Sequence, residues 1–358
     1  MRILHLNNEK TWRGGERQTL LLAAELQKRG LENAIACRKD GPLENQARAA
    51  SVPTVQVGAS NPVLLANLLS LAPKFDLIHC HTGRGHSVTA IQSLFRRTPI
   101  LVTRRVDFLP SRSLFNRFKF GRARKVVCIS QFISAQMRDW GVPTEQLAVI
   151  PSAVPIPKEQ KSRAEIGIEL RQRLNIPSDK KIVGNIAAMV GHKDQATLLR
   201  AARHIIDQRS DVVVVIIGDG ELRPQLERQR RELNLESAVI FAGFIPEAEK
   251  FLPGLDVFVM SSCMEGLGSI VLDAFAAGVP VAATAGGGLP ELVMNRETGL
   301  LAPIGNDLAL SQAVIELLTS DALVAQVTQK GRMFVSENFS VERMADRYLD
   351  IYKTIITD

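Results

Sequence analysis

The sequence predicts an α/β protein of two doubly wound domains, on three observations. Its 358 residues exceed the size at which one hydrophobic core usually divides. Short apolar, strand-like runs alternate with amphipathic helical patterns, which implies parallel pairing. The alternation breaks once, at Pro151-Ser-Ala-Val-Pro-Ile-Pro157, where three prolines in seven residues signal a linker.

Element by element, residues 2–6 read as a buried strand and 17–29 as a helix closed by Gly30. Strands follow at 33–37, 52–57, 76–80, 99–103 and 125–129, with helices such as 62–71 and 131–140 between them. Beyond the linker the strands are 181–187, 211–217, 238–241, 257–260 and 280–283, with helices at 195–206 and 221–233. Helical patterns near 308–318, 322–338 and 341–356 close the chain. The expected domains are 1–154 and 155–338, with a last segment, 339–358, returning to pack on the first. Two such domains would leave a cleft between their strand C-termini, where these folds bind ligands.

The N-terminus enters a strand without an apolar h-region, and no run of about 18 apolar residues occurs, so neither a secretory signal nor a membrane span is expected. The four cysteines are scattered, with no Cys-x-x-Cys pair, and three sit in or beside strand-like runs. Reduced core thiols and a cytoplasmic location follow. The net charge of +7 is unevenly spread. Residues 1–155 carry 22 Lys and Arg against 10 Asp and Glu, and the remainder 22 against 27. Between Arg84 and Lys125 stand eleven basic residues and one acid, Asp107. One domain is thus expected to face an anionic partner.

The most informative stretch begins Ser262-Cys-Met-Glu-Gly-Leu-Gly-Ser269 and continues to Val281. A strand ends near Met260, a loop carries Glu265, and Ser269 reads as the N-cap of an apolar helix that stops before Gly278. Gly266 and Gly268 let backbone approach a ligand, and the helix start offers N–H groups to anionic oxygens. Glu265 and, one turn into the helix, Asp273 supply carboxylates that accept bonds from vicinal hydroxyls. An ordinary strand–loop–helix with solvated acids is the bland alternative.

Taken with Ala277-Gly-Val-Pro-Val281, Gly286-Gly-Gly-Leu-Pro-Glu291 and Thr298-Gly-Leu-Leu301, this stretch resembles the family 4 retaining glycosyltransferases of the GT-B fold, two Rossmann-like domains facing each other across a cleft. The likeness covers nearly the whole chain. It implies that Glu265 is catalytic and positions the sugar, and that Gly266, Leu267, Gly268 and Ser269 contact the donor diphosphate or sugar. Asp273 stands where the family has a second glutamate, for the ribose. Gly184 to Lys193 resembles the segment that brings an Arg and a Lys to the diphosphate; Lys193 keeps its place, and Asn185 replaces the arginine. A Lys opening a helix also sits at the wrong end of the dipole for its own stability. Ile217-Gly-Asp-Gly220 resembles the family's turn after a strand.

In the first domain, Trp12-Arg-Gly-Gly-Glu16 is similar to the family's Gly-Gly loop, so Gly15 would approach the diphosphate and Glu16 the acceptor or sugar. Asp76-Leu-Ile-His-Cys-His81 looks like the family's strand end, implying that His81 hydrogen-bonds the transferred sugar. Arg105, in Thr103-Arg-Arg105, stands in place of a histidine and would contact acceptor or sugar. The sequence has no Asp-x-Asp, so the resemblance implies metal-independent transfer with retained configuration and no cofactor, the nucleotide-sugar being a co-substrate. The implied acceptor is a cell-envelope glycan or lipid-linked sugar. The segment Arg112 to Lys125 interleaves Phe115, Phe118 and Phe120 with cations, as a membrane-contacting patch or as a helix that buries its phenylalanines. No nucleic-acid motif accompanies the charge. A nucleotide-sugar epimerase and a silent nucleotide-sugar-binding protein are the alternatives; donor base, sugar, linkage and oligomeric state are not legible.

Overall fold

A computed structural model describes residues 1–156 and 162–357. Pro157, the last proline of the expected linker, and residue 358 lie outside the described residues. The chain divides into two compact units, one of Met1–Ala153 with the segment from Ser340 onward, the other Val154–Phe339.

In the first unit, β1 (Arg2–Leu6), β2 (Glu32–Arg38), β3 (Thr54–Val57), β4 (Leu77–Cys80), β5 (Ile100–Arg104), β6 (Lys125–Cys128) and β7 (Leu147–Val149) form one parallel sheet in the order β3-β2-β1-β4-β5-β6-β7. The second unit repeats the plan with β8 (Lys181–Ile186), β9 (Val212–Ile217), β10 (Val239–Gly243), β11 (Val257–Met260), β12 (Val281–Thr284) and β13 (Leu300–Ala302), ordered β10-β9-β8-β11-β12-β13. Helices cover both faces, so central strands read as unbroken apolar runs; Val-Val-Val-Val-Ile-Ile of β9 is buried throughout. These are two Rossmann-like domains. The edge strands β7 and β13 are absent from the sequence reading. At three residues each, they carry too little pattern to stand out from a loop.

The first helix spans Gly14–Lys28, so Gly14, Gly15 and Glu16 form its opening turn, not a loop ahead of a helix at 17. The final helix, Val341–Thr357, belongs to the first unit. Its Met344, Ala345, Tyr348, Tyr352 and Ile355 fall on one stripe at helical spacing and pack among Ile3, Leu22, Leu26, Leu77, Leu101 and Val127. Both tyrosine rings are fully buried. An exposed ion pair, Arg29 with Asp346, adds a surface contact between the first and last helices.

These two kinds of contact differ in weight. Tyr352→Ala is expected to cost roughly 3–5 kcal/mol, by deleting a buried ring that holds a hydrogen bond. Arg29→Ala should cost about 1 kcal/mol or less. Urea midpoints of the two variants, read beside the wild type, check the ranking.

Candidate active site

In a doubly wound sheet the crevice opens where strand order reverses, beyond the C-terminal ends of the two strands at the reversal. In the second unit those strands are β8 and β11. Lys193 lies in the short turn Gly191–Lys193 after β8, and Glu265 in the loop after β11. The structure joins them: Lys193 Nζ meets Glu265 Oε1 at 2.5 Å, and the same oxygen accepts the Ser262 hydroxyl at 2.7 Å. Further bonds strap the two loops together, from Ser261 Oγ to the Lys193 carbonyl (3.0 Å) and from Cys263 N to the His192 carbonyl (2.9 Å). Glu265 is largely buried, and Lys193 somewhat less so.

The glycine run after β12 explains how the Glu265 loop is held. A Cβ on Gly286 would stand 2.2 Å from the Ser262 carbonyl, and one on Gly287 2.2 Å from that of Glu265, while Gly287 has φ +60. Gly288 N donates to the Glu265 carbonyl at 2.8 Å. Backbone lies flush on backbone here, and no side chain fits. Gly268, φ +84, is the N-cap of the helix Ser269–Ala276. Ser269 is therefore the first helical residue; the expected serine cap gives way to a left-handed glycine that turns the chain more sharply. Leu267 packs inward, and Asp273 is buried inside the helix.

Asn185 lies within β8, where its amide nitrogen donates across the reversal to the Val259 carbonyl of β11 at 2.8 Å. The side chain is buried, with one amide hydrogen given to that carbonyl and its own oxygen unpartnered. The Gly218-Asp-Gly220 turn supports its neighbour loop. A Cβ on Gly218 would lie 2.0 Å from the Ala187 carbonyl, and Met189 N bonds the Asp219 carbonyl at 3.0 Å.

In the first unit the reversal falls between β1 and β4. His81 directly follows β4, and its Nε2 meets His5 Nδ1 of β1 at 3.1 Å. His79 is bonded on both nitrogens, Nδ1 with Tyr352 Oη and Nε2 with Thr103 Oγ1, each at 2.7 Å, and Thr103 Oγ1 meets Tyr348 Oη at 2.8 Å. Glu16 is committed inward: Oε1 accepts Asn7 Nδ2 (3.2 Å) and Oε2 the Arg13 N–H (3.0 Å), and burial raises its pKa. Gly15 lies beside the Arg105 stem, with room for a Cβ at an ordinary 3.8 Å. His5, Ser262 and the two tyrosines escaped the sequence reading. The partners of His5 and the tyrosines are remote, as far as 273 residues for His79 and Tyr352, and no local spacing marks such a pair; Ser262 stands three residues from Glu265, where its spacing could have been read.

His5, His79 and His81 also bring ligand atoms within 4.8 Å of one another. A divalent ion there would meet the nearby Arg105 charge without a carboxylate in the set, and His79 would have to give up a bond. Burial holds His79 and His81 well below the ordinary histidine value, helped by neighbouring positive charge, and takes His5 to about 3. His86, buried near Lys119, also falls to about 3. The unfolded chain therefore takes up protons that the folded chain refuses. Full stability is present above about pH 6.5 and is lost as pH falls below it, by up to ~1.4 kcal/mol per pH unit for each histidine. Thermal unfolding from about pH 8 to about pH 5 should show Tm dropping mainly below pH 6.5; a flat profile would contradict these neutral imidazoles.

Comparison with known proteins matches both units. The family described as glycosyl transferases group 1 matches residues 168–334, and that described as glycosyltransferase family 4 matches residues 12–156. The lipopolysaccharide core biosynthesis glycosyltransferase LpsE of Rhizobium meliloti is 30% identical over 181 residues, 51% of this chain and 52% of its own length. LpsD of the same organism is 30% identical over 236 residues, 65% of this chain and 64% of its own. The chain thus spans about half to two thirds of the length of these curated relatives. Among solved structures, Anabaena HepE, crystallised with UDP and glucose, matches with a TM-score of 0.88 at 22% identity, covering 99% of this chain and 100% of HepE.

Proposed function

Because this chain belongs to the group 1 glycosyltransferases of GT-B fold, we propose that it transfers a hexose from a nucleoside-diphosphate sugar to a cell-envelope glycan or lipid-linked acceptor, with retention and without a metal ion. The observation that carries the proposal is the Lys193–Glu265 pair at the head of the helix Ser269–Ala276. A lysine, a carboxylate and the N–H groups of a helix start stand together at the strand ends, where a diphosphate and a sugar need those groups.

Charge develops on the leaving phosphate oxygens, and Lys193 with the helix N–H groups stabilises it. An entering diphosphate competes for the lysine ammonium, which frees Glu265, still held by Ser262, to accept bonds from sugar hydroxyls. The bond from the anomeric carbon to the phosphate oxygen breaks, and a bond from the acceptor oxygen forms on the same face. The leaving phosphate oxygen takes the acceptor proton, so no protein nucleophile is required. Asp273 serves the ribose, and His81, held neutral, offers a hydrogen bond to the transferred sugar. The names of LpsE and LpsD support an envelope acceptor, and the HepE ligands make UDP-glucose the first donor to test.

Glu265→Ala should fold normally and lose transfer by at least ~100-fold, a loss on the scale of removing one transition-state contact. Turnover of UDP-, GDP-, ADP- and TDP-sugars, screened first by thermal shift, checks this. Near-normal turnover in the variant would sink the assignment, and tight donor binding with no turnover in the wild type would point to a binding protein.

Attachment to the inner, cytoplasmic face of a membrane belongs to the same proposal. No single helix among the described residues is long and apolar enough to cross a membrane. The helix Leu114–Gly121 splits its apolar residues: Phe120 is buried, while Leu114 is 84% exposed and Phe115 44%. Exposed Phe108 and Leu109 precede them, with Arg112 and Arg117 in the same stretch. Anionic liposomes at low salt should sediment the protein. Replacing both arginines by alanine should weaken binding about 30-fold, at ~1 kcal/mol per cation near the surface; unchanged sedimentation would remove the membrane from the proposal.

A further inference from the structure

Arg105 follows β5 at the strand ends of the first unit, in surroundings unusual for a guanidinium. The residue is part-buried, and its Nε and Nη2 are closed off from solvent with no hydrogen-bond partner. Only Nη1 is engaged, donating to the Ser152 hydroxyl at a long 3.3 Å. The carboxylate whose charge reaches it is Glu16, and both Glu16 oxygens are already taken by Asn7 and the Arg13 N–H. Its other neighbours supply no negative charge. His79 and His81 are held neutral, in part by Arg105 itself, and Tyr348 and Tyr352 are un-ionised phenols kept so by burial. The helix Gly14–Lys28 begins alongside, at Gly15, so its dipole adds positive potential.

A cation withdrawn from water with no carboxylate in contact costs stability, and such groups persist where a ligand completes them. The two idle nitrogens, Nε and Nη2, form the side-on edge of the guanidinium, whose parallel N–H bonds match two oxygens of a phosphate or carboxylate. We propose that Arg105 is the anion-recognition residue of the acceptor site: its Nε–Nη2 edge takes a phosphate or carboxylate carried by the acceptor, beside His81. The inference rests on the transferase reading above and goes beyond it in assigning the acceptor a negative charge. It also gives a physical sense to an arginine where the resemblance expects a histidine. A neutral imidazole binds a hydroxyl, whereas a guanidinium selects an anion.

Calorimetric titration of the full chain tests this, using sn-glycerol 3-phosphate as probe, glycerol as its uncharged counterpart, and saturating UDP to occupy the Lys193 site. The wild type should bind the phosphate and not glycerol. Arg105→Gln should weaken phosphate binding about tenfold or more, and Arg105→Lys should keep part of it as a point charge without the paired edge. UDP affinity should be unchanged in both. Equal phosphate affinity in the wild type and Arg105→Gln would overturn the proposal. A tenfold fall in UDP affinity would overturn it differently, by giving the anion to the donor. If UDP fails to bind the wild type, the donor reading of the preceding section fails, and the phosphate series without UDP still decides on Arg105. Arg105→Met supplies a readout independent of binding heats. Removing a buried charge that no counter-ion contacts should raise Tm in ligand-free buffer and abolish the rise in Tm that phosphate gives the wild type. A lower Tm with the phosphate-dependent rise intact would count against the assignment.

Discussion

A parallel sheet whose strand order reverses leaves its two central strands with connections running to opposite faces, so nothing in the sheet fills the space beyond their ends. Both units of this chain obey that constraint, at β1 and β4 in one and at β8 and β11 in the other. The rest of the site depends on it. In the second unit the two loops at the reversal are tied by Lys193 and Glu265, and the bonds from the Ser261 hydroxyl and the Cys263 N–H to the facing carbonyls hold them together. In the first unit the same position is spanned by His5 and His81.

The two solutions differ in polarity, and the difference is chemical. The second unit places opposite charges in contact, the pair on which the proposed diphosphate site rests. The first unit buries neutral imidazoles with phenols and a hydroxyl, a chain of bonds from Tyr352 through His79 and Thr103 to Tyr348. Burial keeps every member uncharged near neutral pH. Beside that neutral ground Arg105 is a charge that no carboxylate contacts, which is why its empty edge is informative.

The site's rigidity comes from glycine rather than from large side chains. Gly286, Gly287 and Gly288 let the loop after β12 lie against Ser262, Glu265 and Gly266 backbone, and Gly218 does the same for the loop after β8. A motif rich in glycine can be read as a place where a ligand approaches. In this chain several of those glycines serve another stretch of the same backbone, and the ligand would meet the surface they hold in place.

The sequence by itself determined the two-domain α/β class, the central strands, and the Glu265 and Lys193 segments, because those features are local. Buried parallel strands are continuous apolar runs, and a strand–glycine loop–helix is written in adjacent residues. The edge strands β7 and β13 stayed hidden, having three residues and no periodicity. The helix start at Gly14 stayed hidden because propensity disfavours glycine inside helices, and the cap at Gly268 because the adjacent Ser269 is the commoner capping type. Only the tertiary structure decided the pairing of Lys193 with Glu265, the inward commitment of Glu16 and Asn185, and the bond from Tyr352 to His79. The Lys193, Asn185 and Tyr352 contacts join residues remote in sequence, at a range set by how strands and helices stack, and the inward turn of Glu16 toward nearby Asn7 and Arg13 follows from the packing around it.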